Sequence, residues 1–293
     1  MARNNEQRTG AAVPPADAPA TEPVQPAAGT SPAATLSYVV PTEFVELPSR
    51  GRHYDENHPL HRQEVVEIRH MTAKDEDILT SASLLKKGIA IDRLIKSIMV
   101  DKTIDPDSLL VGDRNAILLK TRIHAYSSEY AVTVARPRCG ESTEHTFDLL
   151  SCGINYGDDL GAMAQDISGP DEQGLYDVTL PVTKVVAKVR LLTASVEAVM
   201  MKEAERRRKN KMQENSVTFM LQAIIYSLNG ETDRSTISQF IDNMPTADSH
   251  YLRGAYTKIV PNVDMIQEYS CSACDEVSQL EVPFTAEFFW PNR

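Results

Sequence analysis

Residues 67–79 read EIRHMTAKDEDIL, and residues 188–200 read KVRLLTASVEAVM. Each segment begins with alternating apolar and charged residues, which is typical of a half-buried strand, and continues through an arginine, two further residues and a threonine. Thr72 predicts the start of a helix, because Asp75 occupies the capping-box position three residues later. Two segments with this same order, 121 residues apart, indicate an internal duplication.

The elements that follow these two helices also recur in the same order. Each half continues with an apolar helix and then a second helix that ends in Ala-Tyr. A strand follows, then a cysteine, and then a returning strand. The matching pairs are 92–100 with 218–228, 121–139 with 251–271, and 144–149 with 277–284. Chance similarity between two α+β halves is the alternative. The order predicts an α+β fold of duplicated helix–strand units, each ending in a β-hairpin with a cysteine knuckle, like a split and degenerate zinc ribbon.

Composition divides the chain into four parts. Residues 1–40 are rich in Ala and Pro, and they contain too few large apolar side chains to offset their chain entropy, so we expect a disordered arm. Residues 41–151 form the first predicted α+β repeat, and the Gly-, Asp- and Ser-rich residues 152–174 form a predicted linker. Residues 175–293 form the second repeat, with the C-terminal knuckle and an aromatic tail.

Charge and hydropathy exclude several classes of protein. The chain of 293 residues has a formal net charge of −11, whereas a phosphate-binding surface needs clustered Lys and Arg, so nucleic acid is not an expected partner. Apolar runs of the roughly 18–20 residues that cross a bilayer do not occur, so no membrane contact is expected. The four cysteines are too few for a disulfide scaffold and indicate folding in a reducing compartment.

Half of the cysteines form one Cys-x-x-Cys pair, Cys271 and Cys274. The duplication aligns Cys271 with Cys139, and each lies between two predicted strands, which is the setting of a zinc knuckle. The first knuckle is incomplete, because Ser142 stands where a fourth cysteine is needed and a neutral serine hydroxyl is a poor zinc ligand. Cys139, Cys271 and Cys274 are therefore the candidate ligands of one structural zinc ion.

The fourth zinc ligand is left open by the sequence. His145 lies three residues after Ser142, and Cys152 lies thirteen residues after Cys139. The alternative is that no metal is bound and packing alone closes the turns. A redox role for the pair is disfavoured, because the acidic residues that follow Cys274 oppose a thiolate.

Other sequence features predict no catalytic chemistry. His53, His58 and His61 lie in a polar, loop-like stretch and are interpreted as surface histidines, and Asp113 is interpreted as a helix cap. The basic residues 203–211 are interpreted as the solvated face of a helix. No Gly-rich phosphate loop and no nucleophile–base spacing is present, so we do not expect an enzyme.

Four stretches together resemble a known family: VELPSRGRHY (45–54), MTAKDEDIL (71–79), LLVGDRNAILLKTRIHAYSSEYAV (109–132) and CSACDEVSQLEVPFTAEFFWP (271–291). In this order they are similar to the baseplate protein family of T-even-type contractile-tailed phages, over roughly residues 43–291. The resemblance departs at Ser142, where the family pattern has a cysteine.

The resemblance implies a non-enzymatic baseplate hub component or hub assembly factor. It would act in the host cytoplasm during assembly and be located in the virion tail. The implied partners are other hub proteins, tail-tube-like proteins and the tape-measure protein, and the tail with Phe284, Phe288, Phe289 and Trp290 suits docking to them. The alternative is a zinc-ribbon regulatory module that binds nucleic acid or a polymerase.

Overall fold

Helices and antiparallel strands alternate along residues 39–135, 142–212, 215–270, 277–283 and 286–289, which the computed structural model describes. The helices are α1 Ala73–Thr80, α2 Ala82–Lys87, α3 Ala90–Ile98, α4 Val111–Ala125, α5 Ala194–Lys209, α6 Ser216–Ile224, α7 Arg234–Asn243 and α8 Thr246–Ile259. The strands are β1 Thr42–Glu46, β2 Val65–Arg69, β3 Glu129–Ala135, β4 Ser142–Asp148, β5 Gly153–Asn155, β6 Ile167–Ser168, β7 Tyr176–Thr179, β8 Val186–Val189, β9 Ile225–Leu228, β10 Asn262–Asp264, β11 Ile266–Ser270 and β12 Val277–Glu281. This mixture confirms the predicted α+β class.

The strands form several small sheets. A four-stranded sheet has the order β6–β7–β8–β9, and the two-stranded sheets are β1–β2, β3–β4, β5–β10 and β11–β12. Every pairing is antiparallel. The short strands β5 and β6 lie within residues 152–174, the expected linker, and β5 pairs with β10 after α8. Residues 153–155 are therefore tied to the segment that follows α8 in the second half.

The start of α1 confirms the helix start predicted at Thr72. The Thr72 N–H donates to Asp75 Oδ2 over 2.8 Å in a capping box. The Arg69 guanidinium makes two further hydrogen bonds to the same carboxylate, of 2.7 and 2.9 Å. α2 ends at Lys87, and Gly88 follows with φ +69°, the left-handed conformation that glycine adopts without strain.

Asp113 is not the helix cap that the sequence predicted. α4 has Leu110 at its N-cap, and the fully buried Asp113 side chain reaches another part of the chain. Its carboxylate accepts hydrogen bonds from Ser49 N (3.0 Å), Ser49 Oγ (2.6 Å) and Tyr54 Oη (2.7 Å). Burial raises the pKa of Asp113, and these three donors oppose the increase. The residue holds the Leu47–Pro48 turn against α4.

Asp248 has the same role at the start of α8. Its buried carboxylate accepts hydrogen bonds from the backbone N–H groups of Val182 (2.8 Å) and Thr183 (3.0 Å) and from Thr183 Oγ1 (2.7 Å). The turn that it holds follows Leu180–Pro181 and joins β7 to β8. Each Leu-Pro turn is thus held by an aspartate in the first turn of a later helix.

Residues from both halves share one hydrophobic core. The described residues from Val40 onward form one compact unit, and a single buried cluster includes side chains from Val45 to Phe289. α4 packs directly on the second half at Gly112, where an added Cβ would collide with the backbone of Pro261. The core therefore holds both halves together.

The described part of the aromatic tail lies inside this core. Phe288 is 0 % exposed and Phe289 is 2 % exposed. The ring of Phe288 packs edge-on against Tyr130 with 5.3 Å between centroids, and its carbonyl oxygen accepts a 2.6 Å hydrogen bond from Nε of the buried Arg122. The expectation that this tail docks to partners is therefore wrong for these two phenylalanines. Phe284 and Trp290 lie outside the described residues.

Candidate functional site

The strands on either side of each predicted knuckle pair as expected. β3 and β4 form one hairpin, and β11 and β12 form the other. Ser142 is the first residue of β4 and is exposed. Cys139, Cys271 and Cys274 lie outside the described residues, so the predicted ligand set stays a prediction.

The two hairpins lie side by side. The ring of His145 on β4 packs edge-on against Tyr269 on β11, with 5.0 Å between centroids. Gln267 on β11 donates from Nε2 to the carbonyl oxygen of Asp148 over 2.8 Å and to Cys152 Sγ over 3.4 Å. The strands that flank the two cysteine segments are therefore in direct contact, and both candidates for a fourth zinc ligand lie at this contact.

The two fourth-ligand candidates differ in protonation. Burial lowers the pKa of His145, which favours the neutral imidazole, the form that binds a metal. Burial raises the pKa of Cys152, which keeps the thiol protonated and opposes the thiolate that a metal needs. On electrostatic grounds, His145 is the better candidate.

The three histidines between β1 and β2 make hydrogen-bond contacts with other parts of the protein, contrary to their interpretation as plain surface residues. His53 Nε2 lies 2.8 Å from the Tyr176 hydroxyl, and burial, together with the charge of Arg52, lowers the pKa of His53 to about 4. His58 Nε2 lies 2.8 Å from Ser108 Oγ, and His61 Nδ1 lies 2.7 Å from the carbonyl oxygen of Tyr54. Each therefore fixes the loop that carries it.

A different cluster of ligand-type side chains was missed by the sequence reasoning. Glu43 of β1, His70 after β2 and His124 near the end of α4 each offer an atom within 4.8 Å of the others. These residues are 27 and 54 positions apart, so no short motif connects them. The available signal was indirect, since a β1–β2 hairpin places Glu43 opposite Ile68, close to His70.

A groove of about 630 Å³ runs between α5 and α6. Methionine and phenylalanine side chains contribute much of its lining, among them Met200, Met201 and Phe219. Met201 is 63 % exposed. Methionine adapts its shape to different partners, and exposed apolar patches are typical of interaction surfaces.

The basic stretch of α5 is solvated, as predicted. Arg206 and Arg207 pair with Glu203 at 2.7 and 3.0 Å, and Lys209 pairs with Glu205 at 2.7 Å. Because Glu203 and Glu205 of the same helix offset part of this positive charge, the stretch is not a strong phosphate-binding surface. Among the described residues, every helix is too short or too polar to cross a lipid bilayer.

Comparison with known proteins agrees with the resemblance seen in the sequence motifs. No curated protein and no solved structure matched the chain. The family model described as T4 bacteriophage base plate protein matches residues 41–290, which include every described helix and every described strand. The chain therefore belongs to the T4 bacteriophage base plate protein family.

Proposed function

We propose that this protein is a structural or assembly protein of the phage baseplate hub, and that it acts through protein–protein contacts in tail morphogenesis. The family match over residues 41–290 is the observation that carries the proposal. The implied location is the virion tail, reached by assembly in the host cytoplasm. The proposed role is not enzymatic, and the proposed partners are other hub proteins, tail-tube-like proteins and the tape-measure protein.

The apolar groove between α5 and α6 supports contact with other proteins. Its Met200, Met201 and Phe219 side chains offer an apolar surface that a partner can cover. The buried Phe288 and Phe289 do not serve this purpose, since they are already covered by the protein's own core.

We also propose that the two halves are copies of one duplicated α+β unit. The matching roles of Asp113 and Asp248 at two Leu-Pro turns support this. Met99, the residue after α3, makes an antiparallel β-bridge to β2, and Ile225, the residue after α6, pairs with β8. The apolar helices α3 and α6 are thus each followed by a residue that pairs with the matching strand of their half. Two halves that fail to superpose in an experimental structure would refute the duplication.

A zinc ion at Cys139, Cys271 and Cys274, completed by His145 or Cys152, remains part of the proposal. The contact between the two hairpins supports it, because it places the strands on either side of both cysteine segments together. Metal analysis of the purified protein beside a Cys271→Ser variant tests it. Equal zinc content in the two proteins would contradict this ligand set.

The function is tested by affinity purification of the tagged protein from phage-infected cells, followed by identification of the proteins that copurify. We expect baseplate hub proteins among them. Analysis of purified virions then separates a permanent component, which is present in virions, from an assembly factor, which is found only in tail intermediates. Absence from both virions and tail intermediates would overturn the proposal.

Two variants test whether the groove is used for contact. Met201→Asp places a charge in the groove, and we expect it to reduce copurification without lowering the melting temperature, because the residue is largely exposed. Leu85→Asp is the matched control, since Leu85 is also exposed and α2 does not line the groove. Equal copurification of the two variants would exclude the groove as a contact.

A further inference from the structure

We propose that Glu43, His70 and His124 bind one zinc ion that joins the β1–β2 hairpin to α4. The three side chains come from three separate segments, and their ligand atoms all lie within 4.8 Å of one another. Two imidazoles and one carboxylate are a donor set that zinc accepts, with a fourth position left for water or a partner's side chain. This site is independent of the cysteine knuckles and of the proposed function.

The observed distances are close to those that zinc requires. At Zn–N and Zn–O distances of about 2.0–2.2 Å, tetrahedral ligand atoms lie roughly 3.4 Å apart. Glu43 Oε2 is 2.7 Å from His124 Nε2 and 3.7 Å from His70 Nε2. Movements of less than about 1 Å, within the reach of side-chain rotation, would therefore place these atoms on one ion.

The state of His124 favours a metal over a simple ion pair. Its Nε2 atom is buried, and although it lies 2.7 Å from Glu43, it has no hydrogen bond of acceptable geometry. A neutral imidazole with a proton on Nδ1 has its lone pair on Nε2, as a metal ligand needs. A buried nitrogen without a hydrogen-bond partner is costly, and coordination would satisfy it.

Lys120 limits the strength of the site without blocking it. Its ammonium lies 3.1 Å from Glu43 Oε1, whereas both histidines face Oε2. Oε2 is therefore left for the metal, while Lys120 orients the carboxylate, as hydrogen-bonded partners of metal-binding carboxylates do. Because the ammonium repels a second cation, we expect weaker binding than at a closed four-ligand zinc site.

The test compares metal binding by the full-length protein with binding by two variants, His70→Ala and His124→Ala. Zn²⁺ affinity is measured by isothermal titration, and Co²⁺ is used as the spectroscopic probe. Cobalt bound to imidazole and carboxylate gives visible d–d bands without the near-ultraviolet charge-transfer bands of thiolate, which separates this site from the cysteine segments. His250→Ala is the matched control, since His250 is an exposed histidine outside the cluster.

We expect wild type and His250→Ala to bind one metal ion with the thiolate-free spectrum. Each cluster variant should bind this ion at least about tenfold more weakly, since even outer-shell partners contribute ~10–100-fold to metal affinity. Zinc should raise the melting temperature of wild type more than that of the cluster variants. Melting curves without metal verify that the variants fold, and if one does not, the other carries the test. The proposal would be overturned if wild type bound no metal with the thiolate-free spectrum, or if both cluster variants bound it as tightly as wild type. The three residues would then form only an ion pair.

Discussion

Replacing Phe288 by alanine should destabilise the whole protein, although the residue lies close to the C-terminal end of the sequence. Its side chain is fully buried, and its ring packs edge-on against Tyr130 and Phe289, each with 5.3 Å between centroids. Buried Phe→Ala changes cost about 3–5 kcal/mol in unfolding free energy. For a domain of this size, each kcal/mol lowers the melting temperature by about 2–4 °C, so we expect a decrease of roughly 6–20 °C.

The assay is chemical and thermal unfolding of the purified protein, followed by circular dichroism. Phe44→Ala is the matched control, because Phe44 is 62 % exposed on β1 and its loss should change stability by no more than about 0.5 kcal/mol. If Phe288→Ala loses less than about 1 kcal/mol, or no more than Phe44→Ala, the conclusion that the tail belongs to the core is wrong.

Three further changes test the packing of the two halves. Asp248→Ala removes the acceptor of two backbone N–H groups and should cost about 2–3 kcal/mol, measured by urea unfolding. Gly112→Ala should cost about 1–3 kcal/mol through its collision with Pro261, whereas Gly254→Ala, whose Cβ would make only an ordinary 3.4 Å contact, should not destabilise α8. Burial would raise the pKa of Asp75, but hydrogen bonds from Arg69 and Thr72 hold this pKa well below its usual value. The carboxylate therefore stabilises the fold at pH values above its unfolded pKa of about 3.9. Asp75→Asn should cost about 3 kcal/mol at neutral pH, and its difference from wild type should shrink as pH falls below about 4; a constant difference in acid titrations would contradict this.

Local signals predicted much of the fold. The capping box at Thr72 acts within a few residues, so the sequence alone showed where α1 begins. The class of fold and the hairpins around the cysteine segments followed from alternation and helical spacing. Asp113 was misread because an aspartate in a first helical turn has the same sequence signature whether it caps its own helix or receives donors 64 residues away.

The sites were harder to predict than the elements. The Cys-x-x-Cys pattern is visible because its two cysteines are neighbours in sequence, whereas Glu43, His70 and His124 meet only when α4 packs beside β1 and β2. The aromatic tail showed its apolar character in the sequence, but not whether its own chain or a partner covers it. That depended on the long-range contact of Phe288 with Arg122 and Tyr130.

The hydrogen bond from Arg122 to the Phe288 carbonyl spans 166 residues, and this has a consequence for synthesis on the ribosome. At about 5–20 residues per second, roughly 8–33 s pass between the translation of the two residues. During that time Phe288 is not yet available to cover the guanidinium of Arg122 and the ring of Tyr130. A message truncated before codon 288 would therefore yield a chain that contains α1 to α8 yet exposes an open core to chaperones and proteases.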